Sequence, residues 1–125
     1  MFKFYNPNPI VARVGDCVIR AICKATNKKW EEVYNDLCDF GFNMADMPSA
    51  NSVWGAYLRY LGFNRYVVST EYPDSYTVYD FAEDNKNGTY ILALSGHVVC
   101  VQDGDYYDTW DSGDEVPIYY WCKEE

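Results

Sequence analysis

Apolar residues recur at helical spacing through the first half of the chain. In the second half they alternate or run together. Asn6-Pro7-Asn8-Pro9 is extended or turn-like, because each proline disfavours helix in the residue before it. Val18, Ile19, Ala21, Ile22 and Ala25 then form one stripe, so residues 17–26 are expected to be a helix. Gly15-Asp16 opens it with Asp16 as N-cap, and Asn27 can end it. Trp30, Val33, Tyr34 and Leu37 mark a second helix, with Glu31 and Glu32 near its start, where the helix dipole favours acids. Gly41 to Pro48 reads as a loop. Ser49 or Asn51 can cap a third helix with Val53, Trp54, Tyr57, Leu58 and Leu61 inside, and Gly62 stands where a C-terminal glycine belongs.

The period then changes. Arg65 to Ser69 predicts a strand. Thr77 and Asp80 form a capping box for a short helix ending near Asn85. Asn87-Gly88-Thr89 reads as a turn entering a dense apolar strand, Thr89 to Leu94. Ser95-Gly96 turns the chain into a strand from His97 to Val101. Asp103-Gly104 is a two-residue hairpin signal, and Asp105 to Trp110 is the return strand. Val116 to Trp121 closes the sheet. The pattern predicts a single α+β domain over residues 1–125, N-terminal helices packed on a C-terminal antiparallel β-sheet.

Composition supports a packed core. Of 125 residues, 49% are apolar and 18% aromatic, including 13 Tyr, which is too much apolar surface to leave solvated. Tyr57, Tyr60, Tyr66, Tyr106, Tyr107, Tyr119 and Tyr120 could form a binding face, but in a strand-rich chain they are expected in the core and in cross-strand pairs. The formal net charge is −9, so a nucleic acid or an anionic membrane is not an expected partner. Glu124 and Glu125 are expected to be solvated. The N-terminus lacks an apolar signal region, and no run reaches the ~18 apolar residues of a membrane span. Five cysteines, odd in number and widely spaced, fit a reducing compartment, so a cytoplasmic location is expected. No C-x-x-C pair suggests zinc and no glycine-rich loop suggests phosphate binding, so no metal or cofactor is expected.

Cys17 falls in the first turn of the first helix, where free N–H groups and the dipole stabilise a thiolate. Its plain alternative is a small apolar residue, but the polar turn Gly15-Asp16 precedes it. Cys23, Cys38, Cys100 and Cys122 stand in helix interiors, a strand and the C-terminal region, and read as structural. His97 is the one histidine, so a Cys–His pair would have to use it. Its plain alternative is an ordinary strand residue.

The hairpin offers a third member. A two-residue turn at Asp103-Gly104 sets Gln102 opposite Asp105, Val101 opposite Tyr106 and Cys100 opposite Tyr107. Side chains alternate, so His97, Val99 and Val101 share a face with Tyr106, Asp108 and Trp110. Asp108 becomes a diagonal neighbour of His97, and Asp111 points the other way. A slip of one residue would reverse that preference. The plain alternative for Asp108 is a solvated acid.

Gly15-Asp16-Cys17 opening a helix, Ser95-Gly96-His97-Val98-Val99 opening a strand, and Asp108 on the next strand together resemble the papain-like cysteine peptidase superfamily. The likeness is to its compact bacterial and phage-borne branches, which include bacteriocin leader-processing peptidases and cell-wall amidohydrolases. The resemblance implies Cys17 as nucleophile, His97 as base and Asp108 as orienting acid. It implies a hydrolase acting on a peptide or protein substrate. Many members carry a Gln a few residues before the cysteine to hold the oxyanion. Here Val11 and Ala12 occupy that neighbourhood, and Asn6 and Asn8 are the candidate donors, or simply the starts of turns. Two alternatives stay open: a non-catalytic protein-binding domain on the same fold, and an amine-accepting acyl transferase of transglutaminase type. Substrate identity and oligomeric state are not legible.

Overall fold

The computed structural model describes residues 1–123, so the expectation for Glu124 and Glu125 lies outside the described residues. The chain begins with a short strand, β1 (Phe2–Phe4), and then runs through three helices: α1 (Cys17–Thr26), α2 (Trp30–Met44) and α3 (Asn51–Tyr60). After β2 (Phe63–Val67) come a 3-10 turn and the short helix α4 (Val78–Asp84). Strands β3 (Thr89–Leu94), β4 (His97–Gln102), β5 (Asp105–Asp108) and β6 (Tyr119–Lys123) follow. The class is α+β, as the pattern predicts.

The strands form one mixed six-stranded sheet in the order β1-β5-β4-β3-β6-β2. This corrects the antiparallel expectation: β1 lies parallel to β5 at the edge, pairing Phe2 with Tyr106 and Phe4 with Asp108. Three residues with two of them exposed carry no readable alternation, and pairing with a strand a hundred residues away is not a local signal. The second helix continues through Gly41 to Met44, so the expected loop begins four residues late. A side chain at Gly41 would run into the backbone of Asp46 and Pro48, so the helix needs glycine there.

Alternation along the central strands fills two cores. Ile91, Ala93, Val98 and Cys100 face α1, α2 and α3, packing with Ile22, Val33, Trp54 and Leu58. Leu92, Leu94, Val99, Val101 and Tyr106 face α4, packing on Val78 and Phe81. The capping box at Thr77 and Asp80 is present and starts α4. Burying these side chains stabilises the fold by roughly 1.5–3 kcal/mol for each large apolar group. Helix α1 is pressed on the sheet between β3 and β5, and Lys24 lies over the Tyr107 ring at 4.3 Å. That contact leaves the N-terminal end of α1 beside the start of β4.

The hairpin forms with the expected register: Gln102 opposite Asp105, Val101 opposite Tyr106, Cys100 opposite Tyr107. Asp103 and Gly104 both have positive φ, 52° and 86°, as a two-residue hairpin turn of this hand requires. Among the described residues, no helix is long and apolar enough to cross a membrane.

Candidate functional site

Three separate pieces of chain converge at one end of the sheet. Cys17 is the first residue of α1, His97 the first residue of β4 and Asp108 the last residue of β5. The His97 Nε2 atom is 2.7 Å from Asp108 Oδ2. The Cys17 thiol stands close enough to the His97 ring and the Val98 N–H for both to act on its titration. Since Asp108 holds Nε2, the other ring nitrogen, Nδ1, is left for the thiol. Cys17 is half-buried and His97 keeps 13% of its side chain exposed, whereas Asp108 is sealed.

The electrostatics favour an ion pair. Burial would push the Cys17 thiol up, but the hydrogen bond and charge of His97, the Val98 N–H and the Arg20 charge outweigh it and hold the thiol below its ordinary value. Burial would lower His97. Hydrogen bonds to Asp108 and Cys17, and the charges of both, instead raise it from 6.5 to about 9. Burial likewise opposes ionisation of Asp108. The bonds from His97 and Ser112, the His97 charge and the Thr109 N–H reverse that and hold the carboxyl below the usual range. All three shifts run toward a thiolate–imidazolium pair with a carboxylate behind it.

Asp108 is saturated. Oδ1 accepts from Thr109 N–H at 2.8 Å and from Arg20 Nη2 at 3.2 Å. Oδ2 accepts from Ser112 Oγ at 2.7 Å and faces His97. Four partners fill a carboxylate's four lone-pair directions. Asp111, expected to point away, instead accepts from the Tyr106 hydroxyl at 2.7 Å. The chain leaves the strand after Asp108, so alternation no longer governs Asp111. Trp110 leaves with it and lies against His97, ring centroids 4.9 Å apart, covering one face of the imidazole.

Asp16 does occupy the N-cap position, but its side chain makes no capping bond. Its carboxylate pairs with Arg20 and accepts from Trp30 Nε1 at 2.9 Å. A buried guanidinium and an indole N–H are the partners it takes in place of backbone amides. The first-turn N–H groups of α1 are therefore free of a side-chain cap, beside the Cys17 sulfur.

Asn6 and Asn8 both build the turn before α1. Asn6 Oδ1 accepts from Asn8 N–H and its Nδ2 donates to Ala12 O, each at 3.2 Å. Asn8 Oδ1 accepts from the N–H groups of Ile10 and Ala12, at 3.0 and 3.2 Å. The amide nitrogen of Asn8 takes no part in these bonds, so of the two oxyanion candidates Asn8 keeps its donor. The turn holds Val11 at φ 57°, a left-handed conformation that β-branched residues rarely adopt. Such strain persists only where surrounding bonds over-determine it, here the Val11 N–H to Asn8 O bond and the Asn8 side chain.

This turn forms one wall of an apolar cavity of about 710 Å³. Ile10, Val14, Val18, Trp30, Tyr34 and Leu37 are among its walls, with Gly15 and Asp16 at the end nearest Cys17. Cys17 and His97 do not line it; the cavity abuts the turn that carries the thiol. Among the described residues, no group of three or more His, Cys, Asp or Glu side chains is arranged to hold a metal ion. Arg20, Ser112 and Trp30 belong to the site and were not singled out from sequence. Only the spacing of Asp16 and Arg20, one helical turn apart, hints at a pair. Comparison with protein-family models, with curated proteins and with solved structures found no match to this chain.

Proposed function

We propose that this chain is a papain-like cysteine hydrolase, a peptidase or amidase, working in the cytoplasm on a peptide or protein substrate. The observation that carries the reading is the convergence of Cys17, His97 and Asp108 from three elements with every shift directed toward a thiolate–imidazolium pair. In this mechanism the Cys17 thiolate attacks an amide carbonyl. The oxyanion forms beside the uncapped first turn of α1, with the Cys17 N–H and the Asn8 amide nitrogen as donors. Imidazolium His97 gives its proton to the leaving amine. His97, now neutral, takes a proton from water as that water attacks the thioester, and the acid leaves with the thiolate restored. Asp108 holds the ring tautomer and stabilises the imidazolium. The five free cysteines are compatible with a reducing location.

The test is alkylation of Cys17 by iodoacetamide as a function of pH, read residue by residue, in wild type and His97→Ala. The reading requires Cys17 to outrun the other four cysteines near pH 6 and to lose that advantage without His97. An ordinary thiol titration that ignores His97 overturns it.

One observation favours the second reading, a non-catalytic protein-binding domain: the large apolar cavity stops short of the thiol, and Trp110 covers part of His97. That reading expects peptide binding that survives Cys17→Ala and no hydrolysis by the wild type.

A further inference from the structure

We propose that Arg20 is a positioning residue for the Cys17–His97 pair: it locks Asp108 to the helix that carries the nucleophile and so keeps Asp108 Oδ2 on the imidazole. The proposal rests on the reading of Cys17 as nucleophile.

Arg20 stands three residues after Cys17 on α1, about one turn further along the same side. It is 6% exposed. Its guanidinium lies between two buried carboxylates from distant parts of the chain. Nη1 pairs with Asp16, just before α1, and Nη2 reaches Asp108 Oδ1, 88 positions away at the end of β5. Asp16 is itself held by Trp30 of α2. The fork therefore ties the nucleophile's helix, the next helix and the acid's strand at one point.

The consequence falls on the two oxygens of Asp108. With Arg20 and Thr109 on Oδ1, and Ser112 on Oδ2, the carboxylate has one free direction, and it points at His97 Nε2. Rotating the carboxyl would break the charged bond to Arg20. His97 is thus offered a fixed acceptor and turns its other nitrogen to Cys17. The Arg20 charge also favours the thiolate directly. A purely structural plug would not need a guanidinium, because well-packed apolar residues replace buried ion pairs at little or no cost. Here two carboxylates must stay ionised in the interior, and only a planar fork reaches both.

The experiment uses the full chain. Cys17 alkylation is followed against pH by peptide mass mapping in wild type, Arg20→Lys and Asp16→Asn, with thermal unfolding and near-UV circular dichroism alongside. Lysine keeps the charge but cannot span both carboxylates. The expected result is a folded Arg20→Lys chain whose Cys17 titration midpoint moves up toward the ordinary thiol value. Its reaction near pH 6 slows by about tenfold for each unit of that movement, and the two rates converge in alkali. A structural role alone would lower the melting temperature and leave the midpoint in place. An unmoved midpoint in folded Arg20→Lys overturns the proposal. If Arg20→Lys does not fold, Asp16→Asn decides: loss of that carboxylate beside Cys17 by charge alone moves the midpoint down, so an upward shift shows that loosening the fork disturbs the pair and supports the proposal, while a downward shift or none overturns it. A wild-type midpoint at the ordinary thiol value with no His97 dependence is a different failure. It removes the nucleophile reading, and the positioning role with it.

Discussion

The two sides of the candidate site are held by different forces. His97 and Asp108 lie 11 residues apart on one hairpin, and ladder hydrogen bonds and a two-residue turn set their separation. Cys17 is brought to them from 80 residues away in sequence, on a helix whose position depends on side-chain packing and on the Arg20 fork. A ladder fixes position through the backbone and tolerates many side chains. A packed helix end with buried charges fixes position through a few named groups. The backbone separation of base and acid should therefore resist substitution of neighbouring side chains, whereas the aim of the Asp108 carboxylate and the placement of Cys17 should not.

The largest expected effect removes the proposed nucleophile altogether. Cys17→Ala should lower hydrolysis of an activated ester by about 10⁴-fold or more, because removing one member of such a unit nearly removes the whole. The melting temperature should hardly move, and a parallel thermal scan checks this. Next comes Asp108→Asn, with a rate loss on the order of 10²–10⁴-fold from the wrong tautomer and lost imidazolium stabilisation. Unlike Cys17→Ala it should also destabilise the fold by about 3–5 kcal/mol, since Arg20 loses a buried partner. Urea titration separates the two outcomes. A variant without that stability loss would show that the two sides are not coupled through Arg20.

Asn8→Ala sharpens the comparison on the nucleophile side. Loss of the acceptor for Ile10 and Ala12 should cost about 1–3 kcal/mol, and loss of the oxyanion donor on the order of 100-fold in kcat. A stability loss with unchanged kcat would leave Asn8 a turn-former only. The smallest effect is in pH dependence. His97 titrates at about 9 in the folded chain against 6.5 when free. Its contribution to stability is complete below the free value and is lost as pH rises through about 9. Hydrolysis should fall over the same range as the leaving group loses its proton donor. His97→Gln should flatten the alkaline decline in denaturant midpoints, and an unchanged slope would assign that decline to other groups.

What was legible in the sequence follows the same division. The hairpin was readable because a two-residue turn and period-two alternation leave one register, so the pairing of Cys100 with Tyr107 and the nearness of Asp108 to His97 came from counting. Cys17 was readable as the first residue of an amphipathic helix. The edge strand β1 was not, because its partner lies a hundred residues away. Nor was Arg20: a basic residue four positions after an acid is ordinarily a solvated pair, and only tertiary packing buries it. Asp16 was placed at the right position with the wrong partner for the same reason, since a buried cation is invisible to capping preferences.

The hairpin's short sequence separation also bears on the order of events during folding. Closing an 11-residue loop is fast and entropically cheap, whereas docking α1 onto β4 must bring together segments 80 residues apart. Base and acid would meet early, in a species that still lacks the docked helix. The thiol gains its partners only when the long-range contacts close. On the proposed reading, a chain whose α1 has not docked carries an ordinary, weakly nucleophilic cysteine, and activation waits on those contacts. On the same reading, that dependence keeps a chain with undocked α1 from attacking its neighbours.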